Sequence, residues 1–132
     1  MKRMSIAVLV SLLLLPASLF ASSRYHEPQY LAAWAGCHAS VVTSPVKSAF
    51  SSFYSPAQRV LYIGTQPDMP QEYLTMVAFH EIGHCLQHQE NWFEGKTMQE
   101  IELDADRRAA DLACRYHMDG SGWLRAVFEH AR

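Results

Sequence analysis

The sequence predicts an α+β domain in which a helix carrying metal-binding groups packs against a second, acidic helix and a small sheet. Three observations point there. Residues 71–89 are largely apolar yet hold His80, Glu81 and His84 in the order H-E-x-x-H. Thr97 and Glu100 form a helix-start signature ahead of the run MQEIELDADRRAADLACRYH. Arg59-Val60-Leu61-Tyr62-Ile63-Gly64 is β-branched and aromatic and ends on glycine, the pattern of a strand.

The chain has 132 residues, 49% of them hydrophobic, with a formal net charge of −2. That composition suits one globular domain and excludes a disordered chain. Arg107-Arg108 is the only adjacent basic pair beyond the N-terminus and is surrounded by acids, so no nucleic-acid partner is expected. Residues 1–23 read as a signal peptide. Lys2 and Arg3 precede the apolar run Ile6–Phe20, which Pro16 interrupts, and Ala21-Ser22-Ser23 offers small residues for cleavage before Arg24. The run is short for a membrane span, so none is expected after processing. The expectation is an exported protein, periplasmic or secreted, with residues 24–132 as a single domain. Cys37, Cys85 and Cys114 all lie in that portion. In an oxidising compartment two of them should pair, and Cys114 is expected to bond with Cys37 or Cys85.

Taken in order, Tyr30–Ala35 reads as a short helix or ordered arm stopped at Gly36. His38–Val42 reads as a brief strand ended by Thr43-Ser44-Pro45. Residues 44–56, rich in serine and punctuated by proline, read mostly as loop, with Phe50, Phe53 and Tyr54 either packing on the core or lining a surface groove. After the 59–64 strand, Asp68 followed by Gln71 resembles a capping box opening a helix that ends near Gln89 or Asn91. A loop through Trp92 and Phe93 leads to the second helix, which Asp119-Gly120 terminates. Ser121 then caps a last short helix over residues 122–131, with Trp123, Leu124, Val127 and Phe128 as its packing stripe.

Residues four apart on a helix share one face, so His80 and His84 can reach one ion. Glu81 beside them can take a proton from a water at that ion. Two imidazoles and a carboxylate among apolar neighbours would be costly to desolvate without such a partner. A catalytic zinc has a third protein ligand. Gln87 stands where an H-E-x-x-H-x-x-G-x-x-H pattern needs glycine, and Glu90 where it needs histidine. His88 cannot easily converge with the other two from a third consecutive turn. The better candidate is Glu102, which shares a face with Asp106 in an E-x-x-x-D pair; one carboxylate can bind the ion while the other accepts from the far nitrogen of a ligand histidine. Asp104 points elsewhere and suits a solvated helix start, whereas Ala105, Ala109, Ala110 and Ala113 imply close packing against another helix.

The two motifs HEIGH and ELDAD, followed by Arg107 and Ala109-Ala110, make the stretch from Tyr73 to Cys114 resemble a gluzincin-type zinc metallopeptidase. The ELDADRRAA run is similar to that of the soluble periplasmic relatives of the Ste24/HtpX protease family. The resemblance implies a minimal zincin-like domain that hydrolyses a peptide or protein substrate, with Zn2+ held by His80, His84 and Glu102. It further implies Glu81 as the base and Asp106 as support for a ligand histidine. Tyr116, His117, Tyr73 and His88 are candidate donors to the oxyanion, and the 60–63 strand could pair with an extended substrate. The rival reading is a non-catalytic secreted zinc-binding module acting in protein interaction or assembly.

Overall fold

The structure is a computed structural model and describes residues 27–46 and 51–116. The signal-peptide reading and the helix over 122–131 lie outside the described residues, whereas the second long helix ends at Arg115 with Tyr116 as its C-cap, short of the expected stop at Asp119-Gly120.

The chain order is α1 (Pro28–Trp34), β1 (Ser40–Pro45), β2 (Phe53–Ser55), β3 (Val60–Thr65), α2 (Gln71–Gln89) and α3 (Met98–Arg115). The strands form one sheet in the order β1-β3-β2, with β1 parallel and β2 antiparallel to β3. Leu61 and Ile63, alternate residues of β3, are buried and join Ala78, Phe79 and Ile82 of α2 in the core. The run 60–63 was legible because it is β-branched and aromatic, with Leu61 and Ile63 on the face that meets α2. β2 was not. Its three residues sit in the segment read as loop, and they become a strand only by pairing Phe53, Tyr54 and Ser55 with Tyr62, Leu61 and Val60. The central place of β3 also overturns its expected role as a substrate-pairing strand, because both of its edges are taken.

The ends of α2 follow local chemistry, though not entirely as expected. Asp68 does not cap it: the N-cap is Pro70, with no side-chain bond, and Asp68 lies in the turn closed by Met69 N–H to the Gln66 carbonyl. At the other end Asn91 adopts φ 56°, Trp92 N–H bonds the Gln87 carbonyl and Asn91 N–H that of His88. This is a Schellman stop, which asparagine tolerates better than most residues. The start of α3 is as expected, since Thr97 Oγ1 accepts from Glu100 N–H at 3.1 Å.

Two features fix α2 in place. A disulfide joins Cys37, between α1 and β1, to Cys85 on α2, and Gln89 reinforces it by accepting from His38 N–H at 2.7 Å and donating to the Gly36 carbonyl at 2.9 Å. Closing a loop of 48 residues contributes about 4 kcal/mol in the chain-entropy account. The expected oxidation of Cys114 is therefore wrong: it is a free, exposed cysteine. The buried stripe of α3 runs through Ala105, Ala109, Leu112 and Ala113, and Cys114 lies one residue, about 100°, round from its end.

The second feature is the contact of α2 with α3. A Cβ on Gly83 would lie 3.0 Å from the Ala105 carbonyl oxygen and 3.3 Å from its Cα. The glycine of HEIGH thus lets the second helix approach closely, and Ala105, Ala109 and Ala113 are fully buried at that helix's inner face. Gly83→Ala gains up to about 1 kcal/mol of helix propensity but must push backbone away, an overpacking that costs about 1–3 kcal/mol. The expected result in denaturant unfolding is a net loss of stability, accompanied by weaker metal uptake, because α3 carries the acids of the site.

Candidate metal centre

The side chains of His80, Glu81 and His84 place ligand-capable atoms within 4.8 Å of one another on the buried middle of α2. The imidazole centroids are 4.8 Å apart and nearly perpendicular. Facing them across the Gly83–Ala105 contact, α3 presents Glu102 and Asp106. Asp106, 5% exposed, meets His80 Nδ1 at 2.7 Å. The Glu102 carboxylate, half open to solvent, spans both histidines: Oε2 lies 3.2 Å from His80 Nε2 and Oε1 lies 3.0 Å from His84 Nε2. His84 Nδ1 is 2.9 Å from Oε1 of Gln87.

Each histidine therefore has its δ nitrogen engaged by a neighbour and turns its ε nitrogen to one shared point. Tetrahedral ligands at about 2.0–2.2 Å from an ion are about 3.3–3.6 Å apart. The two spacings to Glu102 fall within a few tenths of an ångström of that, so two nitrogens and a carboxylate fit a divalent ion without rebuilding either helix. Glu81 Oε1 stands aside at 3.9 Å from His80 Nε2. Its buried carboxylate accepts the backbone N–H of Tyr54 on β2, which ties one edge strand of the sheet to the centre.

Of the other side chains singled out, His88 bonds the Tyr54 hydroxyl through Nδ1 at 2.7 Å and contacts Phe93, outside the cluster. Tyr116 packs edge-on against Trp34 and Phe79, with centroids at 5.4 and 5.7 Å, in the core rather than as an oxyanion donor. Tyr73 lines an open cleft of about 490 Å³ with Val46, Gln66 and Pro67–Pro70. His117 lies outside the described residues. Asp104 does not point to solvent: its Oδ2 accepts from Gln87 Nε2 at 2.8 Å and from Arg108 Nε at 2.7 Å. The Asp104–Arg108 pairing was readable as an (i, i+4) charge pair, whereas nothing in the local pattern announced its link to Gln87.

Electrostatics reports how strongly the cluster is coupled. Burial opposes a charge on His80, but its bonds to Asp106 and Glu102 prevail and raise it to about 10. His84 is raised too, burial being outweighed by Glu102 and Gln87. Bonding to the two histidines holds Glu102 well below the usual carboxylate range. Burial pushes Glu81 up to about 7, against the pull of His80 and His84. In the metal-free chain, then, His80 contributes stability fully below its ordinary 6.5 and loses it as pH rises through about 10. Glu102 contributes above its ordinary 4.5 and loses its part as pH falls towards its depressed value. Glu81 favours the protonated folded state, so its part fades as pH climbs from 4.5 through about 7. An ion needs neutral imidazoles and an ionised Glu102, so it must displace the histidine protons. The rise in melting temperature on adding metal is accordingly expected to be larger near about pH 8 than near about pH 5.5 in scanning calorimetry. A rise that shrank with pH would contradict ligation through these histidines.

No protein-family model, curated protein or solved structure matches the chain. The geometry speaks for itself. A compact His-Glu-x-x-His motif on a buried helix, with acids brought alongside by a second helix and a three-stranded sheet beside them, is a minimal zincin-like fold with a metallopeptidase-type catalytic site that uses glutamate as base. Among the described residues no helix is long and apolar enough to cross a membrane.

Proposed function

We propose that the protein is a zinc-dependent metalloendopeptidase of gluzincin type, with His80, His84 and Glu102 as ligands, Asp106 orienting His80 and Glu81 as the general base. One observation carries this reading: both ε nitrogens converge on one carboxylate while a second carboxylate, unnecessary for holding an ion, is buried next to them. Two imidazoles and one carboxylate form a donor set that suits zinc. Bound there, zinc would supply a Lewis acid for the scissile carbonyl and acidify the attacking water.

The chain's own groups do the rest. Glu81 accepts the proton of the attacking water and returns it to the departing amine, an exchange suited to a carboxylate whose burial already favours its protonated form. Tyr54 N–H holds one Glu81 oxygen, which limits how far the carboxylate can swing between those two tasks. Asp106 accepts a hydrogen bond from His80 Nδ1–H and so keeps Nε2 free to hold an ion. β2 is an edge strand of the sheet, packs on α2 and reaches Glu81 through Tyr54 N–H, so an extended peptide crossing the centre would run along β2 rather than β3.

Export of the protein belongs to the same reading, supported by the charged and apolar pattern of residues 1–23 and by the Cys37–Cys85 disulfide. The test is the metal content of the purified protein followed by cleavage of a mixed peptide library with and without a chelator. One zinc per chain and chelator-sensitive cleavage are expected. Failure to take up metal would overturn the site, and bound zinc without cleavage would leave a binding module.

A further inference from the structure

We infer that Gln87, clamped by Asp104, is a positioning residue that fixes which nitrogen of His84 faces the metal. The inference rests on the metal-site reading above. Gln87 is 1% exposed, the most deeply buried of the polar side chains around the site. Its amide nitrogen donates to the Ile101 carbonyl at 2.9 Å and to Asp104 Oδ2 at 2.8 Å. Its amide oxygen faces His84 Nδ1 at 2.9 Å.

Chemistry allows only this orientation of the amide. A carbonyl and a carboxylate accept and do not donate. Turning the amide over would set its oxygen against both of them at hydrogen-bond distance, replacing two hydrogen bonds with two oxygen–oxygen contacts. With its two N–H groups committed, the amide has only an acceptor left for His84. The His84 δ nitrogen must therefore carry a proton, and the nitrogen that gives up its proton to an ion is Nε2, the one beside Glu102.

The clamp is itself anchored. Asp104 Oδ2 also accepts from Arg108 Nε, Arg108 Nη2 donates to Glu90 Oε2 at 2.7 Å, and the guanidinium lies over the Trp92 ring with its carbon 5.8 Å from the centroid. A relay thus runs from the stop of α2 through α3 and back to the ligand. It gives the two histidines unlike supports: a carboxylate behind His80 and a neutral amide behind His84. It also explains why Gln87 and Asp104, 17 residues apart, face each other although neither belongs to the histidine cluster.

The experiment compares the full exported chain with Gln87→Met, Asp104→Ala and Asp104→Asn, reading zinc affinity by chelator competition and the His84 ring by long-range 1H–15N NMR. Gln87→Met keeps the volume but removes the acceptor; it should cost about 10–100-fold in zinc affinity and blur the δ-protonated signature of His84 while that of His80 persists. Asp104→Ala frees the amide without opening a deep cavity and should shift His84 in the same direction. Asp104→Asn keeps an oxygen for the Gln87 amide and should restore the parent signature, which a merely structural role would not predict. Should Gln87→Met not fold, the two Asp104 variants decide the matter alone. A parent that takes up no zinc overturns the metal reading and this inference with it. A parent that binds zinc, with variants matching its affinity and His84 signature, overturns this inference only.

Discussion

Glu81→Gln is expected to abolish peptide hydrolysis while leaving one zinc per chain. General-base catalysis contributes about 10²–10⁴-fold, so the rate should fall by at least that range. Glutamine preserves the size of the side chain and an oxygen for Tyr54 N–H, so the link from β2 to the centre survives. It also removes a carboxylate that burial penalises, as its upward shift to about 7 shows. The melting temperature of the variant should therefore equal or exceed that of the parent at neutral pH. Metal stoichiometry, thermal unfolding and cleavage of an identified peptide on one preparation separate these effects. A variant that cleaved as fast as the parent would refute the peptidase mechanism even if zinc stayed in place, because no other described carboxylate is both buried and beside the two histidines without being a proposed ligand or its support.

Helical arithmetic made much of the centre legible in advance. His80 with His84, and Glu102 with Asp106, each lie one turn apart, and the alanines of α3 announced the close approach that brings the pairs face to face. A helix start was legible where one residue decides it, as at Thr97. What stayed hidden depends on partners distant in sequence. Phe53–Ser55 has no strand pattern of its own and is set by its pairing with β3 and by Phe53 stacking on Tyr62 at 4.8 Å. Gln87 was visible only as the absence of a glycine, since its role needs Asp104 and Ile101 from another helix. Cys114 follows the alanine-rich stretch of α3 in sequence, but the helical period turns it off the buried stripe, and Cys37 pairs with Cys85 instead.

Glu102→Ala should cost more zinc affinity than any other single change in α3. Among the described residues the Glu102 carboxylate is the group that bridges both ε nitrogens, so on the proposed ligand set its loss would leave two donors where a catalytic zinc uses three. Asp106→Ala offers the comparison. That change removes the support of His80 but no ligand, and losses of that kind cost about 10–100-fold. Glu102→Ala should exceed that range. The two variants should also part in the metal-free state. Asp106 is buried, and removing it strips a charged partner from His80 inside the fold, so the metal-free protein should melt lower. Glu102 is half exposed, and solvent dilutes what its two ion pairs contribute before the metal arrives. Its variant should therefore stay close to the parent without metal and lose the stabilisation that zinc confers, because binding adds stability only in proportion to affinity. Chelator-competition titrations and melting curves with and without zinc measure both quantities. Unchanged affinity in Glu102→Ala would place the third donor on another side chain, and an equal loss in both variants would remove the distinction between ligand and support.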